Sequence, residues 1–153
     1  MPIKLGATDI SAIYLGGVPV TTIYKGVTQV YGSTGPELVT NGDFSSAVGW
    51  SVPAGVSITG GAAVCAAGNG YIYRTGLSLT SGVTYRVSFK VSGYSGGTVR
   101  GYLQATPVFG SLVSSNGTFS FDLVCTTTNA SSEHGLNLST FYGTIDDFSI
   151  KAL

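Results

Sequence analysis

Charge is scarce in this chain of 153 residues. Asp, Glu, Lys and Arg make up 9% of it, with seven acidic residues against seven basic ones. Soluble helices depend on paired opposite charges along their exposed faces, so this composition disfavours a helical protein. Without a basic cluster, no release of counterions drives binding to phosphates or to an anionic membrane surface. We therefore expect no nucleic-acid partner.

Long apolar runs are missing as well. Mean hydropathy is +0.34, but Gly, Ser or Thr interrupts every hydrophobic run before it reaches the ~20 residues of a spanning helix. The segment Met1–Gly6 is not followed by the apolar region of a secretory signal. We expect the protein to be synthesised in a cytoplasm and not to insert into a membrane.

Residues for metal and redox chemistry are few. Cys65 and Cys125 lie in apolar stretches without the paired spacing of a zinc site, so we expect buried thiols, with one disulfide as the alternative. His134, the only histidine, follows the polar residues 129–133 and is expected in a solvated loop. Asp146 and Asp147 are adjacent in a predicted strand. Because neighbouring strand residues point to opposite faces, the two carboxylates are not expected to act together on one substrate.

The sequence Gly93-Tyr94-Ser95-Gly96-Gly97 matches the G-x-S-x-G pattern of a serine nucleophile. That motif requires a helix directly after it, whereas a strand-like run follows here. The segment is predicted to be a glycine-rich hairpin loop. We expect no enzymatic activity.

What the chain has is glycine, 23 residues in all, and a repeat of period ten in its first 32 residues. Ile3, Ile13 and Ile23 each begin a four-residue run that ends in glycine. Short β-branched and aromatic runs between glycines predict a small antiparallel β-meander, too short to be stable by itself. Residues 33–36 are predicted to be a linker before a second domain over 37–153.

The second domain contains short strand-like runs at regular spacing. They are predicted at Glu37–Thr40, Gly49–Val52, Ser57–Ala66, Tyr71–Leu79, Thr84–Ser92, Thr98–Ala105, Gly117–Cys125, Gly135–Ser139 and Thr144–Lys151. Strict alternation indicates which faces are buried. The expected core quartets are Tyr85, Val87, Phe89 and Val91, and Phe119, Phe121, Leu123 and Cys125.

Three motifs in this domain resemble those of carbohydrate-binding-module jelly rolls. They are Glu37-Leu38-Val39-Thr40-Asn41-Gly42-Asp43-Phe44 with Gly49-Trp50, then Leu79–Phe89, then Gly143–Ile150. The resemblance implies an all-β, antiparallel jelly-roll β-sandwich and, in many members, a calcium ion near the chain ends. The carboxylates that match are Asp43 and Asp146. Because Ser45 stands where the family often has an acid, we expect no cofactor.

The N-terminal repeat resembles a segment found in many tailed-bacteriophage virion proteins. That resemblance predicts a capsid decoration or fibre-like accessory protein, located in the virion and forming homo-oligomers. Its partners would be other virion proteins of the capsid or tail. The expected docking residues are Ile13, Tyr14, Ile23, Tyr24 and Tyr31.

A second hypothesis is a carbohydrate-binding module or the glycan-recognising tip of a phage or bacterial surface assembly. Sugar sites need an aromatic platform and a few polar partners, and the chain has nine Tyr. The candidates for a cell-surface glycan site are Tyr71, Tyr73, Arg86, Lys90, Tyr94, Arg100 and Tyr102, together with Gln104. Aromatic residues are also common core residues of strands, and this remains the alternative.

Overall fold

The computed structural model describes residues 14–15, 18–19, 22–25, 28–32, 34–103, 107–126 and 133–153, and for residues 14–32 it describes the backbone. The chain divides into two compact units, Met1–Thr34 and Gly35–Leu153. Within the described ranges every regular element is a β-strand, which confirms the all-β prediction. No helix in these ranges is long and apolar enough to cross a membrane.

The first unit contains two antiparallel ladders. Strand β1 (Tyr14–Leu15) pairs with β2 (Val18–Pro19), and β3 (Thr22–Lys25) pairs with β4 (Thr28–Gly32). Two residues separate the strands of each pair. The second pair lies about ten residues after the first, in agreement with the repeat of period ten. The described part of the predicted meander is therefore two separate two-stranded ladders.

The second unit forms one antiparallel sheet of six strands. They are β5 (Val56–Thr59), β6 (Ala62–Arg74), β7 (Thr84–Leu103), β8 (Val108–Phe109), β9 (Gly117–Val124) and β10 (His134–Ala152). The order is β5-β6-β10-β7-β8. β9 pairs with residues 84–91 of β7, while β8 pairs with its last two residues. β7 thus has a different neighbour on each half of one edge.

Three long strands, β6, β7 and β10, are irregular at the same level of the sheet. The pairing of β10 shifts between Leu138 and Thr144. Ala67, Gly97 and Thr140, one in each strand, have positive φ angles of 64°, 75° and 45°. Such irregularities bend a strand without ending it. The sheet therefore bends along a line that crosses all three strands.

The bend folds the sheet back on itself. A Cβ atom added to Gly101 would lie 2.8 Å from Cγ1 of Val87, a residue of the same strand. In a straight strand, residues fourteen positions apart would be about 46 Å from each other. The N-terminal half of β7 (84–91) and its C-terminal half (98–103) therefore face each other across the core. Only glycine at position 101 leaves room for this approach.

The predicted hairpin loop at residues 93–97 is wrong, because β7 runs through them without a break. Gly93 and Gly97, with φ of 58° and 75°, are separated by three residues and act as bends. A true reversal occurs at Gly60-Gly61, where two consecutive positive φ angles join β5 to β6 in a tight turn. The breaks predicted within β6 and β10 are bends of the same kind.

The core lies between the facing halves of the sheet. The first predicted quartet is confirmed, with Tyr85, Val87, Phe89 and Val91 at most 3% exposed. In the second quartet Leu123 and Cys125 are buried, while Phe119 and Phe121 are partly buried and pack against the core. Alternation is therefore a good guide to the inner face of β7 and β9.

His134 does not lie in a solvated loop. It begins β10, is 1% exposed, and burial lowers its pKa from 6.5 to about 4. Its neighbours across the sheet are Arg74 of β6 and Leu103 of β7. Like Leu103, it faces the core. The two cysteines are buried and no disulfide joins them; burial raises the pKa of the Cys65 thiol to about 12.

The opening segment is bound to the last strand. The backbone N–H of Leu38 donates to Ile150, and the Glu37 carboxylate accepts the backbone N–H of Ile150 at 3.0 Å. The strands predicted at Glu37–Thr40 and Gly49–Val52 are reduced to single bridges to Lys151 and Tyr73. Isolated backbone bonds and side-chain contacts, rather than a ladder, hold this segment in place.

Candidate functional site

The outward face of the C-terminal half of β7 carries a group of aromatic and polar side chains from four strands. Two rows run across the sheet, set by the strand register. One row is Tyr71, Asn137 and Arg100, and the next is Tyr73, Gly135, Tyr102 and Phe109. We call the six side chains Tyr71, Tyr73, Arg100, Tyr102, Phe109 and Asn137 the aromatic face.

Three of its rings, those of Tyr71, Tyr102 and Phe109, are in contact. Tyr71 and Tyr102 lie on strands separated by β10, yet their ring centroids are 5.0 Å apart in an edge-on arrangement. Gly135 lies between Tyr73 and Tyr102 in the register and has no side chain to fill the space. The Tyr102 and Phe109 centroids are 6.1 Å apart. These rings form a continuous platform, of which Tyr71 is the exposed part, with 43% of its surface accessible.

Arg100 places a positive charge at the edge of this platform. Its guanidinium carbon lies 3.7 Å from the centre of the Phe109 ring, which is close cation–π contact. Its Nε donates to Oδ1 of Asn137 at 3.1 Å, and the Asn137 amide donates to the Gly70 carbonyl at 3.4 Å. The guanidinium is thus fixed in position by a ring on one side and an amide on the other.

Tyr102 is the buried member of the face. It is 1% exposed, and its hydroxyl has no hydrogen-bond partner within the described ranges. Burial raises the pKa of this phenol, and the carboxylate of Glu133 adds to the effect. The hydroxyl therefore keeps its proton and remains a hydrogen-bond donor.

Four of the seven predicted glycan-site residues, Tyr71, Tyr73, Arg100 and Tyr102, come together here. Phe109 and Asn137 complete the face and were not predicted. Asn137 could have been found, because it alternates with the buried Leu136 and Leu138 on β10. Phe109 lies in the two-residue strand Val108–Phe109, directly after Pro107, and this strand is too short to give a periodic signal. Gln104 lies outside the described residues.

The other three predicted residues lie elsewhere. Arg86 and Lys90 are on the outward face of the N-terminal half of β7, and Arg86 binds Asp122 through two contacts of 2.8 and 2.9 Å. Tyr94 lies at the bend, where its hydroxyl donates to the Gly97 carbonyl and its ring packs near Phe141. These residues are separated from the aromatic face by the core or the bend.

The predicted docking residues lie in the first unit. Ile13 is outside the described residues. The backbone of Tyr14 is in β1, that of Ile23 and Tyr24 in β3, and that of Tyr31 in β4. Ile23 is opposite Tyr31 in the second ladder.

The two predicted calcium ligands have different surroundings. Asp43 Oδ1 accepts bonds from the Ser45 backbone and hydroxyl at 3.3 and 3.0 Å, and it borders an open cleft of about 370 Å³. Asp146 Oδ1 accepts the backbone N–H of Asp147 at 2.7 Å. No three His, Cys, Asp or Glu residues are grouped to hold a metal ion in the described ranges.

Ser95 of the nucleophile-like pattern is an exposed residue within β7, with strand on both sides. A nucleophile elbow needs the turn from a strand into a helix, which this position lacks. The pattern here is part of the bend.

No protein-family model matches the sequence, and no curated protein matches it either.

Proposed function

We propose that this chain is a non-enzymatic bacteriophage virion protein that docks through its first unit and binds a glycan through the aromatic face of its second. It would serve as a capsid decoration or fibre-like accessory protein, with a jelly-roll-like domain exposed. The observation that carries the glycan part is the platform of touching rings beside a fixed guanidinium. The resemblance of the N-terminal repeat to virion proteins supports the virion part.

The aromatic face has the parts that a sugar site requires. The apolar C–H face of a sugar ring packs on an aromatic ring, and its hydroxyls need fixed donors and acceptors at the edge. Tyr71 offers an exposed ring, while Arg100 and Asn137 supply polar groups beside it. All of them lie on strands, so a ligand would meet a pre-formed surface.

Replacement of Tyr71 tests this role. We expect Tyr71→Ala to weaken glycan binding at least ten-fold, which corresponds to about 1.4 kcal/mol, because it removes the exposed part of the platform. The measurement is binding of the full chain and its variant to an array of bacterial surface oligosaccharides, followed by titration of the best ligand.

Tyr142 is a matched control for this variant. It is 43% exposed, like Tyr71, but lies at the bend opposite Gly96. Tyr142→Ala should leave binding unchanged. Equal losses in both variants, or no loss in Tyr71→Ala, would show that the aromatic face is not the glycan site.

The docking part rests on the division of the chain between Thr34 and Gly35. A unit of two short ladders buries too little apolar surface to be stable alone, so a partner surface is expected to cover it. The low net charge allows many copies to pack without long-range repulsion.

Removal of residues 1–34 tests this division. We expect residues 35–153 to stay soluble and to unfold cooperatively, but to be monomeric where the full chain forms oligomers. Light scattering and thermal unfolding measure the two properties. Tyr14→Ala combined with Tyr24→Ala should weaken assembly in the full chain. A truncated protein that oligomerises as before would assign assembly to the second unit.

A further inference from the structure

Arg100 is a half-buried cation with one hydrogen-bond acceptor. Of its five N–H donors, only Nε has a partner among the described residues, the Asn137 amide. The ion pairs of these residues are Arg86 with Asp122 and Lys151 with Glu37, and neither involves Arg100. No carboxylate of the described chain lies within 4.0 Å of its guanidinium.

The other two arginines of the second unit have different surroundings. Arg86 is exposed, where water would solvate it, and still has a bidentate carboxylate partner. Arg74 donates to the Thr40 carbonyl and lies 5.3 Å from the Trp50 ring, away from the aromatic face, and its Nε is buried without a partner in the described ranges. Removing a charge from water without a counter-charge is costly. Arg100 bears this cost on the surface where the rings are exposed.

Tyr102 provides a second, independent indication of a ligand. Its hydroxyl is a buried donor without an acceptor in the described ranges, and it belongs to the same cluster as Arg100. Buried polar groups are nearly always hydrogen-bonded in native proteins. In the described ranges this face holds a cation without a carboxylate partner and a buried hydroxyl without an acceptor, and together they call for an anionic, acceptor-rich ligand.

We infer that the aromatic face binds a glycan that carries a carboxylate, a uronic or sialic acid, through the Arg100 guanidinium. This inference rests on the proposed glycan-binding function and names the chemical class of its ligand. The planar guanidinium matches a carboxylate with two parallel hydrogen bonds. Contact with the Phe109 ring and the bond to Asn137 hold the guanidinium in place for those bonds. The Tyr71 ring would support the sugar ring that bears the acid.

The negative charge of Glu133 allows a second test of this inference. Its negative charge acts on Tyr102, yet it forms no ion pair with Arg100. An acidic ligand would be repelled by this charge. Glu133→Gln should therefore strengthen binding of an acidic glycan, while it should leave binding of a neutral one unchanged.

The experiment compares acidic oligosaccharides with their carboxyl-reduced neutral forms, in a panel of uronic-acid and sialic-acid oligosaccharides tested against the full chain. We expect at least one acidic member to bind ten-fold or more tightly than its reduced form. Arg100→Gln should abolish this difference, and Arg100→Lys should keep part of it, because lysine retains the charge but not the fork. High salt should reduce the preference.

Arg86→Gln is the matched control, since it removes a cation from the opposite side of the folded sheet and should leave the preference intact. Arg100→Met keeps the packing on Phe109 without the charge, and thermal unfolding of all three Arg100 variants checks that they fold. If the reduced forms bind as tightly as the acids, or Arg100→Gln keeps the preference, the inference is wrong and glycan binding stands. If no member binds, acidic or neutral, the glycan-binding function itself is refuted.

Discussion

The two halves of β7 present outward faces of opposite character. On the N-terminal half, Arg86 is opposite Asp122, and Ser88 is opposite Ser120. On this paired face the charge of Arg86 is neutralised by the Asp122 carboxylate across the strands. On the C-terminal half, rings replace the small polar residues, and Arg100 has an amide and a ring but no carboxylate.

The two faces differ in whether their arginine has a carboxylate partner in the described ranges. Both faces lie on the same strand and follow the same alternation, so the local backbone does not explain the contrast. On the paired face Arg86 has a carboxylate partner, and Lys90 is exposed to solvent. In the described ranges the aromatic face has a cation without a carboxylate partner and a buried hydroxyl without a hydrogen-bond partner, which is why we propose that it binds a ligand.

The largest effect is expected at the contact between Gly101 and Val87, where the two halves of β7 meet across the core. Their outward faces therefore point in opposite directions. Gly101→Leu would place side-chain atoms where Val87 already lies, 2.8 Å from the new Cβ. We expect a loss of about 3 kcal/mol in the free energy of unfolding, the upper end of the usual cost of overpacking. Urea denaturation measures it.

A double mutant identifies the cause of that loss. Val87→Ala removes the methyl groups that the new side chain would meet, so Gly101→Leu should cost less in the Val87→Ala background than in the wild type. Additive effects would mean that the two halves of β7 do not touch at this point.

The next test measures the loss of stability in acid. It depends on His134, which pairs with the half of β7 that carries the aromatic face. In the folded protein the pKa of His134 is about 4, below its ordinary value of 6.5. The unfolded chain therefore takes up a proton first as pH falls, and stability is lost between pH 6.5 and pH 4. At 1.36 kcal/mol per unit, the loss amounts to about 3 kcal/mol by pH 4.

Denaturation at a series of pH values, with His134→Leu as the reference, measures this dependence. The variant should lose the part of the slope that lies in this window. A wild-type curve that is flat from pH 6.5 to pH 4 would contradict the buried, neutral histidine.

The smallest effect is expected on the paired face. Asp122→Asn removes the partner of Arg86, whose side chain is 44% exposed. Exposed ion pairs contribute about 0–1 kcal/mol, so we expect a loss within that range that shrinks further in high salt. The variant leaves a cation without its carboxylate, as at Arg100, but without rings beside it. It should gain no affinity for acidic glycans, and such a gain would mean that a lone cation suffices.

Sequence patterns predicted the inner face of the sheet better than its shape. Alternation alone placed Tyr85, Val87, Phe89 and Val91 in the core, because a half-buried strand requires it. The sequence could not distinguish a reversal from a bend at Gly93 and Gly97. Both use glycine at positive φ, and the difference depends on whether the neighbouring strands bend at the same level.

The candidate site was predictable as a set of residue types but not as a surface. Tyr71 and Arg100 are twenty-nine positions apart in the chain, and only the register of β6, β10 and β7 places them in one row. The same list included Arg86 and Lys90, which the fold places on the opposite side. His134 was misjudged because its polar neighbours hide the start of a buried strand.

The joined ends of the second unit have a consequence for how such a domain can be rearranged. The Gly35 backbone donates to the Ala152 carbonyl at 2.7 Å, and Glu37 is paired with Lys151. A domain whose first and last residues are neighbours tolerates circular permutation and insertion into a loop of another protein. The ends could be linked and the chain reopened at the exposed segment around Gly76, which lies between β6 and β7. The unit is thus suited to be exchanged between proteins as a cassette.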